Sequence, residues 1–172
     1  MTPLFCRALL LCTLASGCSA SAGAHAAPNV PSGDDPLAAV AFVHGGAGPW
    51  AVAGYRMGEA ALARLGLSRQ SFDLDVVHHT PQEVQFSCIA DGAAAATGAS
   101  VGKLNLKLVD AVAGEVATTY SNRKSGERVT LRPTATFAAR YGNVPRDQLA
   151  AAGRDVLALP DGAIFEEVRA TP

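Results

Sequence analysis

The chain has no excess of either charge. Its 172 residues include 14 lysines and arginines and 15 aspartates and glutamates, which gives a formal net charge of -1. A protein that follows a nucleic-acid backbone needs a basic face to neutralise the phosphates. No stripe of lysine and arginine runs through this sequence. We therefore expect no nucleic acid among its partners.

Cysteine is scarce, and most of it lies near the start of the chain. Cys6, Cys12 and Cys18 precede the folded domain that the later sequence predicts, which leaves Cys88 alone within that domain. A single cysteine has no partner for an internal disulfide. Its thiol is therefore interpreted either as a small buried apolar group or as a metal ligand.

A hydrophobic run long enough to span a membrane is also missing. The one candidate, ALLLCTLA after Arg7, is too short for that and is typical of an export signal. It predicts a lipoprotein signal over residues 1–18, which ends in LASGC and leaves Cys18 to be lipidated. The alternative is a signal over residues 1–26, which an ordinary signal peptidase cuts after the sequence AHA.

The segment after the signal predicts a flexible linker. Residues 19–36 are rich in serine, alanine, proline and glycine, as is typical of a tether behind a lipid anchor. The folded domain is then expected over residues 37–172. We predict an exported, periplasmic protein that contacts the membrane only through a lipid on Cys18.

Apolar periodicity predicts three helices in this domain. After Pro49, residues spaced by three and four form one stripe that contains Gly58, and Gly66 is a stop signal. Residues 86–98 form a helix of small residues, and residues 145–160 form the last helix. Residues 37–43 are apolar without alternation and fit either a buried strand or a helical turn.

Alternating residues predict the strands. The pattern is clear in residues 71–79, where His78 shares the apolar face. Three short alternating runs near residues 104–108, 116–120 and 129–131 predict an antiparallel meander, and AIFEEVRA predicts a closing strand. Segregated helices and antiparallel strands indicate an α+β fold, with a sheet packed against one or two long helices.

Three chemical interpretations of HGGAGPW, residues 44–50, compete. A hydrolase with Ser100 in GASVG needs a later histidine, whereas every histidine of this chain precedes Ser100. Glycine N–H groups before a helix form either an anion cradle or a plain tight turn. His44 with Cys88 gives an imidazole and a thiol, which suit zinc. His78 is either a third ligand or a hydrogen-bonded core residue.

Two stretches of the chain resemble the FmdE-like domain family of formylmethanofuran dehydrogenase. They are FVHGGAGPWAVAGYRMGEAALARLG and FSCIADGAAAATGASVGKLNL. The family opens a helix with HGHxxPxxxxGYRxG and continues with C-x-x-D-G/A, TG-x-T-x-GK-x-N. The second pattern matches here at Cys88, Asp91, Gly92, Thr97, Gly98, Gly102, Lys103 and Asn105. The resemblance covers roughly residues 38–170.

The resemblance implies an α+β domain, often a homodimer, with a metal-binding cleft near His44 and Cys88. Gly46 stands where the family has its second histidine, and Gly48 stands where some members have a cysteine. One or two ligands are therefore missing from the turn. A closed four-ligand site would need His78, Asp91 or a partner chain.

These observations predict a domain that binds a divalent metal, zinc by preference, or an unknown small molecule in a cleft, with no defined reaction. His44 and Cys88 are the expected metal ligands, and Asp91, Thr97 and Lys103 are the expected ligand contacts. Two alternatives stay open. One is a metal-free cleft that binds a small organic or anionic ligand through GGAGP and Lys103. The other is an enzyme with Cys88 as nucleophile and His44 or His78 as base.

Overall fold

The structure is a computed structural model, and it describes residues 35–168. The predicted signal peptide, in both of its forms, and most of the predicted linker lie outside the described residues. Between residues 35 and 168, no single helix is long and apolar enough to cross a membrane, and only the bent pair over residues 36–44 and 49–65 meets that test together.

Helices and strands of the described range form one mixed α and β arrangement. The helices are α1 (Pro36–His44), α2 (Pro49–Leu65), α3 (Val84–Thr97), α4 (Ala135–Tyr141), α5 (Leu149–Ala158) and α6 (Asp161–Ile164). The strands are β1 (Leu74–Thr80), β2 (Leu106–Asp110), β3 (Ala117–Asn122), β4 (Arg128–Pro133) and β5 (Phe165–Glu167). Short 3-10 helices cover Ala113–Glu115 and Arg146–Gln148.

The five strands form one sheet in the order β2-β1-β3-β4-β5. Strands β1 and β2 are parallel, and the other neighbours are antiparallel. The two longest helices, α2 and α3, pack against each other, and both contact the sheet. The predicted α+β fold, with a sheet against one or two long helices, is therefore confirmed.

The predicted meander is wrong at its first strand. Strand β2 lies on the outer side of β1 rather than beside β3, so residues 111–116 cross over β1 instead of forming a hairpin. Helix α3 carries the chain between the two parallel strands, as parallel pairing requires. Leu104 precedes the strand with a φ of 56°, and Leu108 is 53% exposed, as an edge strand permits.

Most predicted helices are present with shifted ends. The helix after Pro49 is α2, and Gly66 ends it in the left-handed conformation. The helix of small residues begins two residues before the prediction. The predicted C-terminal helix divides into a 3-10 turn and α5. The apolar run at residues 37–43 is helical. Helix α4 had not been predicted.

Glycines set the distance between α2 and α3. The sequence predicted a close approach at Gly58, and a Cβ there would lie 2.8 Å from the Ala96 Cβ. The contact is tighter at Gly92, where a Cβ would lie 1.8 Å from the Ala51 carbonyl oxygen. The two backbones therefore touch without side chains between them. This close contact fixes the position of α3, and of its polar side chains, relative to α2.

His78 is a hydrogen-bonded core residue of β1. Its Nε2 donates to the Phe86 carbonyl at 3.1 Å, and its Nδ1 is 2.9 Å from the Thr118 hydroxyl, which donates to it. Because the ring is fully buried, burial lowers the pKa of His78 to about 4. The neutral ring thus satisfies both partners within the core.

This burial predicts acid sensitivity. The unfolded chain binds a proton at His78 below about pH 6.5, whereas the folded chain binds it only near pH 4. The free energy of unfolding therefore falls by about 3 kcal/mol as the pH drops through this window. We expect denaturant titrations of His78→Asn to show a smaller fall, and His79→Asn to keep most of the parent fall, because the charge of His79 lowers the pKa of His78 less than burial does. Equal falls in the parent and His78→Asn would contradict the account.

Candidate functional site

The turn between α1 and α2 places His44 against α3. His44 is the last residue of α1, and Gly45 ends that helix with a φ of 85° and an N–H bond to the Ala41 carbonyl. Gly48 then caps α2, and Pro49 takes its first position. The glycine segment is thus a sharp link between two helices rather than between a strand and a helix. The imidazole of His44 therefore lies at the end of α1, where it contacts side chains of α3.

Three predicted residues meet around that imidazole. His44 Nδ1 lies 2.8 Å from Asp91 Oδ2, and His44 Nε2 lies 3.2 Å from Cys88 Sγ. Cys88 and Asp91 are three residues apart on α3 and therefore share a face. One ring nitrogen thus meets a carboxylate while the other meets a thiol. We call His44, Cys88 and Asp91 the polar triad.

The triad lies at the boundary between core and solvent. The side chains of His44 and Asp91 are 24% and 49% exposed. Burial raises the pKa of the Cys88 thiol above its ordinary value, and the nearby negative charge of Asp91 raises it further. The thiol form is therefore favoured at neutral pH in the absence of a bound cation. An ionised Asp91 favours the tautomer in which His44 Nδ1 carries the proton and Nε2 has the free lone pair.

A cleft of about 700 Å³ opens beside the triad. His44 and Cys88 line it together with the glycine turn, the start of α2 and residues from the α4–α5 connection. Its volume lies in the range of small-molecule sites. The thiol and the imidazole therefore face a space that is large enough for a small molecule.

The other predicted site residues lie away from the triad. Thr97 is fully buried, and its hydroxyl donates to the Ala93 carbonyl one turn back. Lys103 Nζ donates to the Gly98 carbonyl at 2.9 Å, because cations favour the carbonyl end of a helix. The same ammonium group lies over the Phe72 ring. Neither residue lines the cleft, and His78 is held in the core.

Sequence reasoning missed the residues that line the cleft from the C-terminal part of the chain. Tyr141 and Arg146 line the cleft, although they lie about 100 residues after His44. They belong to no motif, and nothing in their spacing relates them to the turn. The clue in the sequence was only that a basic residue follows YGNVP, which by itself is typical of a solvated surface.

The triad offers two donors to a metal ion. Nowhere in the range 35–168 are three His, Cys, Asp or Glu side chains arranged to hold one. Asp91 is hydrogen-bonded to His44 Nδ1. The atoms left for a metal ion are His44 Nε2 and Cys88 Sγ, a nitrogen and a sulfur that suit zinc. In metal sites a ligating histidine usually donates its other N–H to a carboxylate. The residues therefore supply two of the three protein ligands that an open zinc site usually has, and no third His, Cys, Asp or Glu is in place among residues 35–168.

Comparison with known proteins supports the resemblance in the sequence. The family model described as FmdE, Molybdenum formylmethanofuran dehydrogenase operon, matches residues 43–166. A comparison with curated proteins finds no match. The matched segment begins next to His44 and includes Cys88 and Asp91. It covers well over half of the chain, and the chain therefore belongs to the FmdE family.

Proposed function

We propose that this FmdE domain binds a divalent metal ion, zinc by preference, on Cys88 Sγ and His44 Nε2, and presents it to a small molecule in the cleft. The N-terminal sequence supports export to the periplasm, with either a lipid on Cys18 or cleavage after residue 26. Asp91 is proposed to orient His44 rather than to bind the ion.

The arrangement around His44 carries this proposal. Asp91 holds Nδ1 at 2.8 Å, so the ring cannot turn without losing that hydrogen bond. Nε2 then points its lone pair toward the thiol, 3.2 Å away. A cation placed between them would replace the proton on Cys88, since metal binding requires the thiolate.

The remaining coordination positions would face the cleft. Structural zinc sites close with four protein ligands, whereas sites that bind substrates keep a position open. Gly46 leaves space in the turn, with nothing within 4 Å of a Cβ built there. When bound, the ion would supply a Lewis acid that polarises an oxygen of the ligand. The chain itself supplies two donors, a fixed imidazole and a bounded volume beside them.

A thiol enzyme is the second candidate. His44 contacts the Cys88 thiol through one ring nitrogen and the Asp91 carboxylate through the other. A cysteine nucleophile, its histidine base and an acid that orients the base are arranged in the same way. Reactive cysteines need a lowered pKa, however, because the thiolate is the nucleophile. The raised pKa of the Cys88 thiol therefore counts against the thiol enzyme, whereas a bound metal ion would itself displace the thiol proton.

Alkylation of Cys88 tests both candidates. We use a single-thiol chain, in which Cys6, Cys12 and Cys18 are replaced by serine. Without zinc, the pH–rate profile with iodoacetamide is expected to have its midpoint above the ordinary value of a cysteine, because burial and Asp91 raise the pKa of Cys88. One equivalent of zinc is expected to suppress alkylation at least about tenfold, since a bound thiolate is a poor nucleophile.

Two controls separate the candidates. His44→Ala should abolish zinc protection, whereas His79→Ala, which changes a histidine of β1 outside the triad, should keep it. A midpoint below the ordinary value, with fast alkylation at neutral pH, would support the thiol enzyme. Alkylation that is unaffected by zinc would refute the metal proposal.

A further inference from the structure

We infer that the cleft binds a small organic carboxylate, with the charged end at Arg146 and the start of α2 and the apolar body along the cleft wall. This inference rests on the proposed function only in using the same cleft. It adds a ligand class and one charged contact residue, Arg146.

The charge of the cleft points to an anion. No aspartate or glutamate is among the residues that line it, and Arg146 supplies its permanent positive charge. Within the described chain, Arg146 takes part in no ion pair. A guanidinium binds a carboxylate with two parallel hydrogen bonds, which a neutral group cannot accept as well.

Backbone donors lie in the same wall. Helix α2 is 17 residues long, and its cap, Gly48, contributes no side chain. The first helical bond runs from the Val52 N–H to the Gly48 carbonyl. The N–H groups of Trp50 and Ala51 therefore have no partner within the helix, and both residues line the cleft. The positive end of α2 favours an anion there.

Tyr141 is a buried part of the cleft wall. It lines the cleft and is only 4% exposed. Its hydroxyl has no hydrogen-bond partner among the residues that the structure describes. The hydroxyl has almost no accessible surface, so we assign it no contact with the ligand.

The remaining walls define the body of the ligand. Trp50, Val84, Val144 and Leu149 give the cleft an apolar lining. A volume of about 700 Å³ holds a molecule larger than acetate or formate. We therefore assign the cleft to carboxylates that carry an aliphatic or aromatic chain.

Fluorescence offers a direct test, because Trp50 is the single tryptophan of the chain and lies in the cleft wall. The purified protein is titrated with straight-chain carboxylates from butyrate to octanoate and with their primary amides, and calorimetry is run in parallel. At least one acid is expected to bind at least about tenfold more tightly than its amide, since a charge-assisted hydrogen bond is lost in the amide.

Variants assign the preference to Arg146. Arg146→Gln should remove the difference between acid and amide, whereas Arg154→Gln, an exposed arginine of α5 away from the cleft, should keep it. The inference would be overturned if no acid showed saturable binding or if acid and amide bound equally. It would also be overturned if the two arginine variants behaved alike.

The same titrations separate this inference from the metal proposal. His44→Ala is expected to lose zinc protection of Cys88 but to keep the acid-over-amide preference. An acid preference in a chain that binds no zinc would uphold the carboxylate site alone. Zinc binding without any acid preference would uphold the metal site alone.

Discussion

Replacing Cys88 with serine is expected to lower the zinc affinity of the single-thiol chain by more than about 100-fold. Loss of an outer partner of a metal ligand typically costs 10- to 100-fold, and Cys88 is proposed as a direct ligand. Serine keeps the size of the side chain but supplies a neutral hydroxyl instead of a thiolate. Competition with a fluorescent zinc chelator measures the affinity.

The other members of the triad should follow in a defined order. His44→Ala removes the second proposed ligand and should match Cys88→Ser. Asp91→Asn keeps the shape of the side chain but loses the charge on Nδ1, and its cost should lie in the range of about 10- to 100-fold. His79→Ala should bind like the parent. An Asp91→Asn effect larger than that of Cys88→Ser would contradict the assigned roles.

Gly92→Ala is expected to lower the free energy of unfolding by more than about 3 kcal/mol. A Cβ at Gly92 would lie 1.8 Å from the Ala51 carbonyl oxygen and 2.7 Å from the Tyr55 nitrogen. Both are backbone atoms, so no side chain can move aside, and α2 and α3 must separate. Overpacking typically costs 1–3 kcal/mol, and a clash of two backbones belongs at or above that range.

A second glycine gives the matched control. Gly162 lies in α6 with nothing within 4 Å of a Cβ. Gly162→Ala is expected to change stability by less than about 1 kcal/mol, in the stabilising direction, because alanine favours a helix. Urea unfolding followed by circular dichroism compares the two variants. Similar stability of Gly92→Ala and the parent would show that the helix pair is not packed backbone to backbone.

Part of this architecture was predictable because local rules decide it. Pro49 and Gly66 mark the two ends of α2, and both signals act within one turn of chain. Cys88 and Asp91 fall on one face of α3 because a helix repeats every 3.6 residues. Their approach to each other needed only the prediction that residues 86–98 are helical.

Other features depend on contacts that no local pattern encodes. Alternation indicates that residues 106–110 are extended, but it does not say whether they pair with β1 or with β3. The reach of His44 to both Cys88 and Asp91 depends on the angle at the glycine turn and on the close contact at Gly92. Neither the angle nor the close contact can be predicted from the spacing of His44 and Cys88 in the sequence.

The two cations illustrate the same limit within the cleft. Lys103 belongs to a matched motif, yet its ammonium group is held at the end of α3 by the Gly98 carbonyl. Arg146 belongs to no motif, and the fold brings it to the cleft through the turn before α5. Which cation lines the cleft is thus a property of the tertiary structure.

The most direct test of the metal proposal is X-ray absorption at the zinc edge on the zinc-loaded single-thiol chain. We predict one sulfur at about 2.3 Å and at least one imidazole nitrogen at about 2.0–2.1 Å, with lighter atoms filling the other positions. The sulfur should disappear in Cys88→Ser. A zinc shell of nitrogen and oxygen alone in the unsubstituted triad would contradict the metal proposal.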